Sequence, residues 1–283
     1  MKYRLYILFF LISVVSFSQH KKAYAVFTSS GKKSNFKKIV KKSVLNDVVF
    51  FGELHNNPIA HWLQLELASA LHKKSDLMLG AEMFEQHQKD DLNNYVSGKI
   101  SHKDFRKTSK LWSNYETDYK PVVDFAKQNK VPFVATNITR KYASMVHKGD
   151  FKALDTLQKN VKQQIAPLPI PFDAELSQYK NMLTMMGNHG SLNLVKAQAI
   201  KDATMAHFIA ENYKENAVFL HLNGSYHSDY KEGIIWYLNQ YKPELNVLTI
   251  SVVEQENIKK LEEENLNKAD FVICVPSTMT KTY

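Results

Sequence analysis

The stretch VVFFGELH, residues 48–55, joins an uninterrupted apolar run to the four-residue pattern Gly-x-x-His. A short apolar run without polar alternation is typical of a strand buried on both faces of a parallel sheet. The same combination returns in AVFLHLNGSYH, residues 217–227. In an open α/β sheet the ligand lies beyond the carboxyl ends of the strands, where glycine lets the chain turn sharply. The two segments therefore predict one pocket built from two distant strand ends.

Strand-like runs alternate with helical segments along the chain. The runs lie near residues 47–52, 77–82, 131–136, 217–223, 246–253 and 270–275. Asn57 and Pro58 indicate the N-cap and first residue of a helix that extends to about Lys73. A second long helix is predicted from about Ser191 to Tyr213. This alternation predicts a single α/β domain with a central, largely parallel sheet flanked by helices.

Two segments depart from the alternation. Residues 140–190 predict a helical excursion from the sheet, with one or two helices over 140–164, a stiff proline-rich spacer at 167–171 and a helix over 173–186. We expect this excursion to act as a lid, as a dimerisation element or as both. Residues 254–268 are highly charged and predict an exposed helix.

The first 18 residues resemble a secretory signal peptide. Lys2 and Arg4 precede an apolar run over residues 5–15, and the small residues Ser16 and Ser18 indicate cleavage before Gln19. The run is shorter than the roughly 20 residues that a membrane-spanning helix needs. We therefore expect an exported protein, periplasmic or associated with the outer membrane. Its mature chain, residues 19–283, forms one domain, has no transmembrane helix and is soluble after cleavage.

Charge and cysteine content restrict the classes of partner. The formal net charge is +9 at pH 7, and eight lysines lie between Lys21 and Lys42. Such a field attracts an anionic ligand or membrane surface, whereas export argues against nucleic acid. Cys274 is the single cysteine in the sequence. It cannot form an intramolecular disulfide, a cysteine-rich metal site or the Cys-x-x-Cys-His attachment of covalent haem.

Side chains capable of acid–base or ligand chemistry follow successive predicted strands. They are Glu53 and His55 after the first strand, Glu82 after the second, Arg140 after the third, and Tyr226 and His227 after the fourth. A carboxylate beside a histidine fixes the tautomer of the imidazole or completes a metal site. The sequence therefore predicts an anion-accepting pocket lined by His, Glu and Arg.

Five segments together resemble the ChaN family of haem-binding proteins. They are GELHNNP at residues 52–58, AEMFE at 81–85, MGNHG at 186–190, QAIKDATMA at 198–206 and NGSYH at 223–227. The resemblance covers roughly residues 45–240. It implies an exported protein of iron acquisition that binds haem non-covalently and forms a homodimer in which two haems lie face to face. An outer-membrane haem receptor is a candidate partner.

A tyrosine phenolate is a hard anionic donor suited to the Fe(III) of ferric haem. If haem binds, Tyr226 is the ligand of the iron that we favour, because it lies within the second Gly-x-x-His pattern at a strand end. Tyr179 and Tyr230 are the alternatives. Arg140, Lys180 and His189 are candidates to bind the propionates. The predicted cofactor-binding residues are Glu53, His55, Glu82, Arg140, Tyr179, His189, Tyr226 and His227.

The same superfamily includes the TraB and Tiki groups and erythromycin esterases, so the resemblance leaves a metal-dependent hydrolase, a protease or an esterase, as the alternative function. His55 and His227 would then ligate a divalent metal ion together with Glu53 or Glu82, and the metal would activate a water. If both histidines lie on solvent-facing loops, we expect their replacement by alanine to leave the protein folded.

Overall fold

The computed structural model describes residues 21–187 and 191–283 and contains one eight-stranded sheet. The strands are β1 (Ala25–Thr28), β2 (Lys33–Ser34), β3 (Val48–Glu53), β4 (Asp76–Glu85), β5 (Phe133–Asn137), β6 (Ala217–Gly224), β7 (Val247–Gln255) and β8 (Phe271–Pro276). Their order is β2-β1-β8-β7-β3-β6-β4-β5. Strands β3 to β8 are parallel, whereas β1 is antiparallel to both β8 and β2.

The predicted α/β fold and all six predicted strands are confirmed. The sequence did not indicate β1 and β2, because runs of four and two residues are too short to show a hydrophobic period. These two strands form the antiparallel edge of an otherwise parallel sheet, an arrangement that is common in large mixed sheets.

Helices cover both faces of the sheet. They are α1 (Phe36–Ser43), α2 (Pro58–His72), α3 (Lys89–Val96), α4 (His102–Thr108), α5 (Lys120–Asn129), α6 (Arg140–Gly149), α7 (Lys159–Lys162), α8 (Ser177–Met186), α9 (Leu192–Asn212) and α10 (Ile234–Tyr241). The predicted cap of α2 is confirmed, since the Asn57 side chain accepts hydrogen bonds from the N–H groups of Ile59 and Ala60, both at 3.1 Å. Within the described ranges, no helix combines the length and apolar character needed to cross a membrane.

The strand β3 lies between two hydrophobic cores. Val49 and Phe51 pack into the core that α2 and α5 share with the sheet. Val48 and Phe50 point to the opposite face, where α9 and α10 form a second core. Side chains alternate across a strand, so a strand that is buried on both faces is apolar at successive positions rather than at every second one. This requirement explains the uninterrupted run that precedes the first Gly-x-x-His pattern.

The excursion, described over residues 140–187, belongs to this second core. Val146, Leu154 and Ile165 are buried there beside α9, and Tyr179 of α8 is buried with them. The segment contains α6, α7 and α8, with the last beginning at Ser177 rather than at residue 173 as predicted. Its main contribution is thus a packed layer, while its role as a lid or dimerisation element remains a prediction.

The prediction of a helix over residues 254–268 is wrong. Strand β7 continues to Gln255, and a loop with one short 3-10 turn at Glu263–Asn265 follows. The Gln255 side chain organises this loop: its amide donates to the carbonyls of Asn257 and Lys260, and its oxygen accepts from the N–H of Glu262. These bonds offer the backbone an alternative to the helical ladder.

Candidate functional site

A cavity of about 550 Å³ lies at the carboxyl ends of β3, β4, β5 and β6. Its wall contains the buried carboxylates of Glu53 and Glu82 and the imidazoles of His55 and His227. Apolar surface comes from Leu54, Trp112, Ile138 and Met182. The strands β3 and β6 are direct neighbours, with Glu53 opposite Gly224 in the register. Both Gly-x-x-His patterns therefore end at the same cavity, as the sequence predicted.

Glu53 is a buried carboxylate held by three donors. The hydroxyl of Tyr119 lies 2.6 Å from Oε1, Nδ1 of His55 lies 2.8 Å from the same oxygen, and Nε2 of Gln64 lies 2.5 Å from Oε2. Burial by itself raises the pKa of Glu53, but the hydrogen bond from His55 and the charge of His61 bring this pKa below its ordinary value. The carboxylate is therefore ionised and orients the His55 ring toward the cavity.

His227 lies between two carboxylates. Its Nε2 is 3.1 Å from Oε1 of Glu82, and its Nδ1 donates to Oδ1 of Asp202. Burial disfavours the imidazolium, but the charges of Glu82 and Asp202 outweigh burial and raise the pKa of His227 to about 10. The hydroxyl of Tyr179 donates to the other oxygen of Asp202 at 2.8 Å. At neutral pH the ring is a buried cation that donates from both nitrogens.

Glu82 connects the two patterns. The backbone N–H of Gly224 donates to its Oε2 at 2.8 Å, while His227 binds Oε1. Burial raises the pKa of Glu82, but the charge and hydrogen bond of His227, followed by the charge of His55, bring this pKa well below its ordinary value. Burial lowers the pKa of His55, but the hydrogen bond that His55 donates to Glu53, followed by the charge of Glu82, brings this pKa above its ordinary value.

The glycines of the two patterns allow close approach rather than a sharp turn. Neither Gly52 nor Gly224 has a positive φ. A Cβ atom on Gly52 would lie 2.9 Å from the Cα of Ser225, and one on Gly224 would lie 2.8 Å from Nε2 of His55. The missing side chain of each glycine thus lets the two patterns pack closely against each other. The sequence predicted these glycines for a sharp turn, and their backbone conformation does not require one.

We expect Gly52→Ala to destabilise the protein by about 1–3 kcal/mol, because the new methyl group would lie 2.9 Å from the backbone Cα of Ser225, which cannot rotate away as a side chain can. Urea denaturation of the variant measures this loss. Gly149→Ala is the matched control, since its Cβ would meet its nearest neighbour at 3.4 Å and its φ is not positive. Equal stability of the two variants would contradict the close-approach explanation.

The structure brings six of the eight predicted binding residues to the cavity wall. They are Glu53, His55, Glu82, Arg140, Tyr226 and His227. Tyr179 lies in the layer behind, fully engaged with Asp202. His189 lies outside the described residues. Lys180, the remaining candidate to bind a propionate, forms an ion pair with Glu175, with Nζ 2.6 Å from Oε2.

Two cations of the cavity wall form no ion pair with an acidic residue in the described part of the chain. Arg140 begins α6 and Lys201 lies on α9, and neither forms an ion pair within residues 21–187 and 191–283. Their charges are available to an anionic ligand.

Sequence reasoning missed the residues that hold the histidines in place. Asp202, Tyr119 and Gln64 are all buried and bind His227 or Glu53 directly. One signal was present for Asp202, an acidic residue within the largely apolar stretch 199–206. Tyr119 comes from a segment distant in sequence, so only the fold reveals its contact.

The divalent-metal alternative lacks a clustered ligand set in the described part of the chain. No group of three or more His, Cys, Asp or Glu side chains there is arranged to hold a metal ion. Both ring nitrogens of His227 face carboxylates instead. Ligation of a metal by His55 and His227 remains a prediction.

Comparison with known proteins places the chain among proteins of one family and fold. The model of a family described as "Haem-binding uptake, Tiki superfamily, ChaN" matches residues 39–238. A solved structure of ChaN from Campylobacter jejuni, reported with cofacial haem binding, is 19% identical with a TM-score of 0.67, covering 89% of this chain and 97% of that one. A protein from Bacillus cereus is 10% identical with a TM-score of 0.51, covering 88% and 93%. No curated protein matches the sequence.

Proposed function

Because the chain belongs to the ChaN family of haem-binding uptake proteins, we propose that its cavity at the sheet edge binds haem without a covalent bond and that Tyr226 ligates the ferric iron. One observation carries the choice of ligand. Of the three candidate tyrosines, Tyr226 lines the cavity, whereas Tyr179 is buried against Asp202 and Tyr230 is not part of the wall.

The cavity has the chemistry that haem requires. Leu54, Trp112, Ile138 and Met182 offer apolar surface to the tetrapyrrole, and Arg140 offers a charge to a propionate. Haem supplies a ferric centre that accepts an anionic oxygen donor. The protein's part is to position the phenol of Tyr226 and to exclude water from the ring face. The buried carboxylate–histidine pairs keep the wall rigid, since every member has a partner.

We also propose that the protein acts as a homodimer. The hydroxyl of Tyr226, a residue of the cavity wall, lies 2.6 Å from Sδ of Met185, and the two residues are 38% and 73% exposed. Large apolar side chains that stay exposed beside a cavity are typical of an interaction surface. A second copy that covers this patch would also shield the exposed side of the haem.

Export is the third part of the proposal. Residues 1–18, which lie outside the described residues, carry the pattern of a signal peptide, and cleavage before Gln19 would release the domain. An exported carrier must pass its ligand on, and an outer-membrane haem receptor is the partner that this location suggests. Intact mass of the protein recovered from the producing cells tests the cleavage site.

A haemin titration of the chain from Gln19 tests the central proposal. Absorbance follows the iron environment, and size-exclusion chromatography with light scattering follows the mass. We expect saturable binding, a ferric tyrosinate spectrum and a shift toward dimer. Binding that does not saturate would overturn the haem proposal. Metal analysis of the purified protein would then test the hydrolase alternative.

A further inference from the structure

The positive charge of this protein is concentrated at one edge of its sheet, and we propose that this edge docks on the anionic headgroups of a phospholipid bilayer. Residues 21–46 contain eight lysines and no aspartate or glutamate. The chain carries a formal charge of +9, of which Lys2 and Arg4 contribute two, so residues 47–283 together carry −1. The positive excess of the folded domain therefore comes entirely from one short segment. We call its surface the basic face, formed by Lys21, Lys22, Lys32, Lys33, Lys37, Lys38, Lys41 and Lys42.

The fold presents these lysines on consecutive surface elements. All eight are exposed. The strands β1 and β2 pair in antiparallel fashion at the outer edge of the sheet, with Lys33 opposite Phe27, and α1 follows directly. The four lysines of α1 are spaced so that they share one side of the helix, whereas Ile39 and Val40 are buried on the other side. The basic face is thus an amphipathic helix beside a lysine-bearing sheet edge.

No acidic side chain in the described part of the chain forms an ion pair with these lysines. Asp47, the first acidic residue after the segment, instead accepts hydrogen bonds from the hydroxyl of Tyr213 at 2.7 Å and from the backbone N–H of Asn246 at 2.8 Å. Glu66 of α2 lies near Tyr24, and burial followed by the charge of Glu66 raises the pKa of Tyr24. The lysines therefore repel one another without compensation, and an approaching anionic surface relieves that repulsion.

Exposed apolar side chains accompany this charge. Trp62 of α2 is 46% exposed and packs edge-on against Tyr24, with the ring centroids 6.1 Å apart. Leu45, just after α1, is 67% exposed. Lysines combined with exposed tryptophan and leucine are typical of elements that lie in a membrane interface, where the apolar groups enter the headgroup layer. The spread of the lysines over two strands, a turn and a helix also suits the extended surface of a bilayer.

Docking through the basic face leaves the cavity accessible. The strands β8 and β7 separate β1 from β3 in the sheet, and none of residues 21–46 lines the cavity. The inference therefore does not depend on which ligand the cavity binds. It adds a location for the protein, against an anionic leaflet.

Co-sedimentation of the chain from Gln19 with lipid vesicles tests this proposal. One set of vesicles contains equal parts of phosphatidylglycerol and phosphatidylcholine, and the other contains phosphatidylcholine alone. We expect binding to the anionic vesicles only. This binding should be lost between about 0.1 M and 1 M salt, because the Debye length falls from about 10 Å to about 3 Å.

A quadruple variant removes the charge of α1 while keeping long polar side chains: Lys37→Gln/Lys38→Gln/Lys41→Gln/Lys42→Gln. Its affinity for the anionic vesicles should fall by at least about 100-fold, since each lysine near an anionic surface contributes about 1 kcal/mol, or roughly a fivefold change in affinity. Glutamine and lysine have similar helix propensities, so α1 should persist, and a thermal melt checks this.

The matched control removes four exposed lysines from other parts of the surface: Lys103→Gln/Lys107→Gln/Lys148→Gln/Lys159→Gln. It has the same net charge as the first variant and should bind the vesicles like the wild type. Equal losses in the two variants would show that net charge alone drives binding and would overturn the proposal. The proposal is also wrong if the first variant binds like the wild type.

A wild type that does not bind the anionic vesicles would likewise overturn the membrane proposal, and an acidic protein would become the candidate partner of the basic face. Equal binding to both kinds of vesicle would show that the lysines do not recognise headgroup charge, which contradicts the proposal too. None of these results bears on haem, which the haemin titration tests separately.

Discussion

Tyr226→Phe is expected to remove the tyrosinate-to-iron charge-transfer band of the haem complex and to lower affinity for ferric haem by at least roughly 10–100-fold. That range is the cost of losing an outer-shell partner of a metal site, and loss of the ligand itself should cost no less. Burial, followed by the charge of Asp229, raises the pKa of Tyr226, so the free protein holds a phenol. Iron binding must displace its proton. The variant retains the ring but lacks the oxygen donor.

The fold should tolerate this change, because the one polar contact of the Tyr226 hydroxyl within the described residues is with the exposed Met185. Tyr230→Phe is a closely matched control: Tyr230 is 37% exposed, against 38% for Tyr226, and lies four residues further along the same segment without lining the cavity. Absorbance titrations of both variants with haemin test ligation of the iron, and a thermal melt of each variant tests whether the fold is retained. An unchanged spectrum in Tyr226→Phe would exclude tyrosinate ligation by this residue.

The strands and the meeting of the two patterns could be predicted because both follow from local sequence. A strand buried on both faces is apolar over most of its length, so the runs at 48–51 and 217–220 were visible without the fold. Parallel strands end at one edge of a sheet, which placed Glu53, Glu82 and His227 near one another. These predictions needed no knowledge of side-chain contacts.

Other features depend on contacts between segments distant in sequence. The composition of residues 254–268 favours a helix, and the prediction was wrong because the hydrogen bonds of the Gln255 side chain hold this segment as a loop. The role of Gly224 depends on the position of His55, about 170 residues earlier in the chain. We expected both alanine variants to stay folded on the condition that the two histidines lie on solvent-facing loops, and His227 does not meet this condition, since it is 5% exposed and hydrogen-bonded to Asp202 of α9.

Because His227 is buried and His55 is partly exposed, replacing the two histidines should have different effects on stability. His227→Ala leaves the carboxylates of Glu82 and Asp202 buried without their shared cation, and removing one partner of a buried ion pair costs about 3–5 kcal/mol. His55→Ala should cost about 1 kcal/mol or less. The His55 side chain is 35% exposed, and Glu53 keeps its hydrogen bonds from Tyr119 and Gln64. Urea denaturation at pH 7 measures both losses, and equal losses would contradict this account.

The pH dependence of stability tests the charge of His227 independently of the loss measured at pH 7. The folded-state pKa of His227, about 10, lies above the roughly 6.5 of an unfolded histidine. Its contribution to stability is therefore complete below pH 6.5 and is lost as the pH rises through 10. The stability difference between wild type and His227→Ala should narrow from pH 7 to pH 10, because the wild-type ring loses its charge. It should also narrow toward pH 5, where the variant's unpaired carboxylates take up protons. A difference that stays constant over this range would show that His227 is not the buried cation on which the site depends.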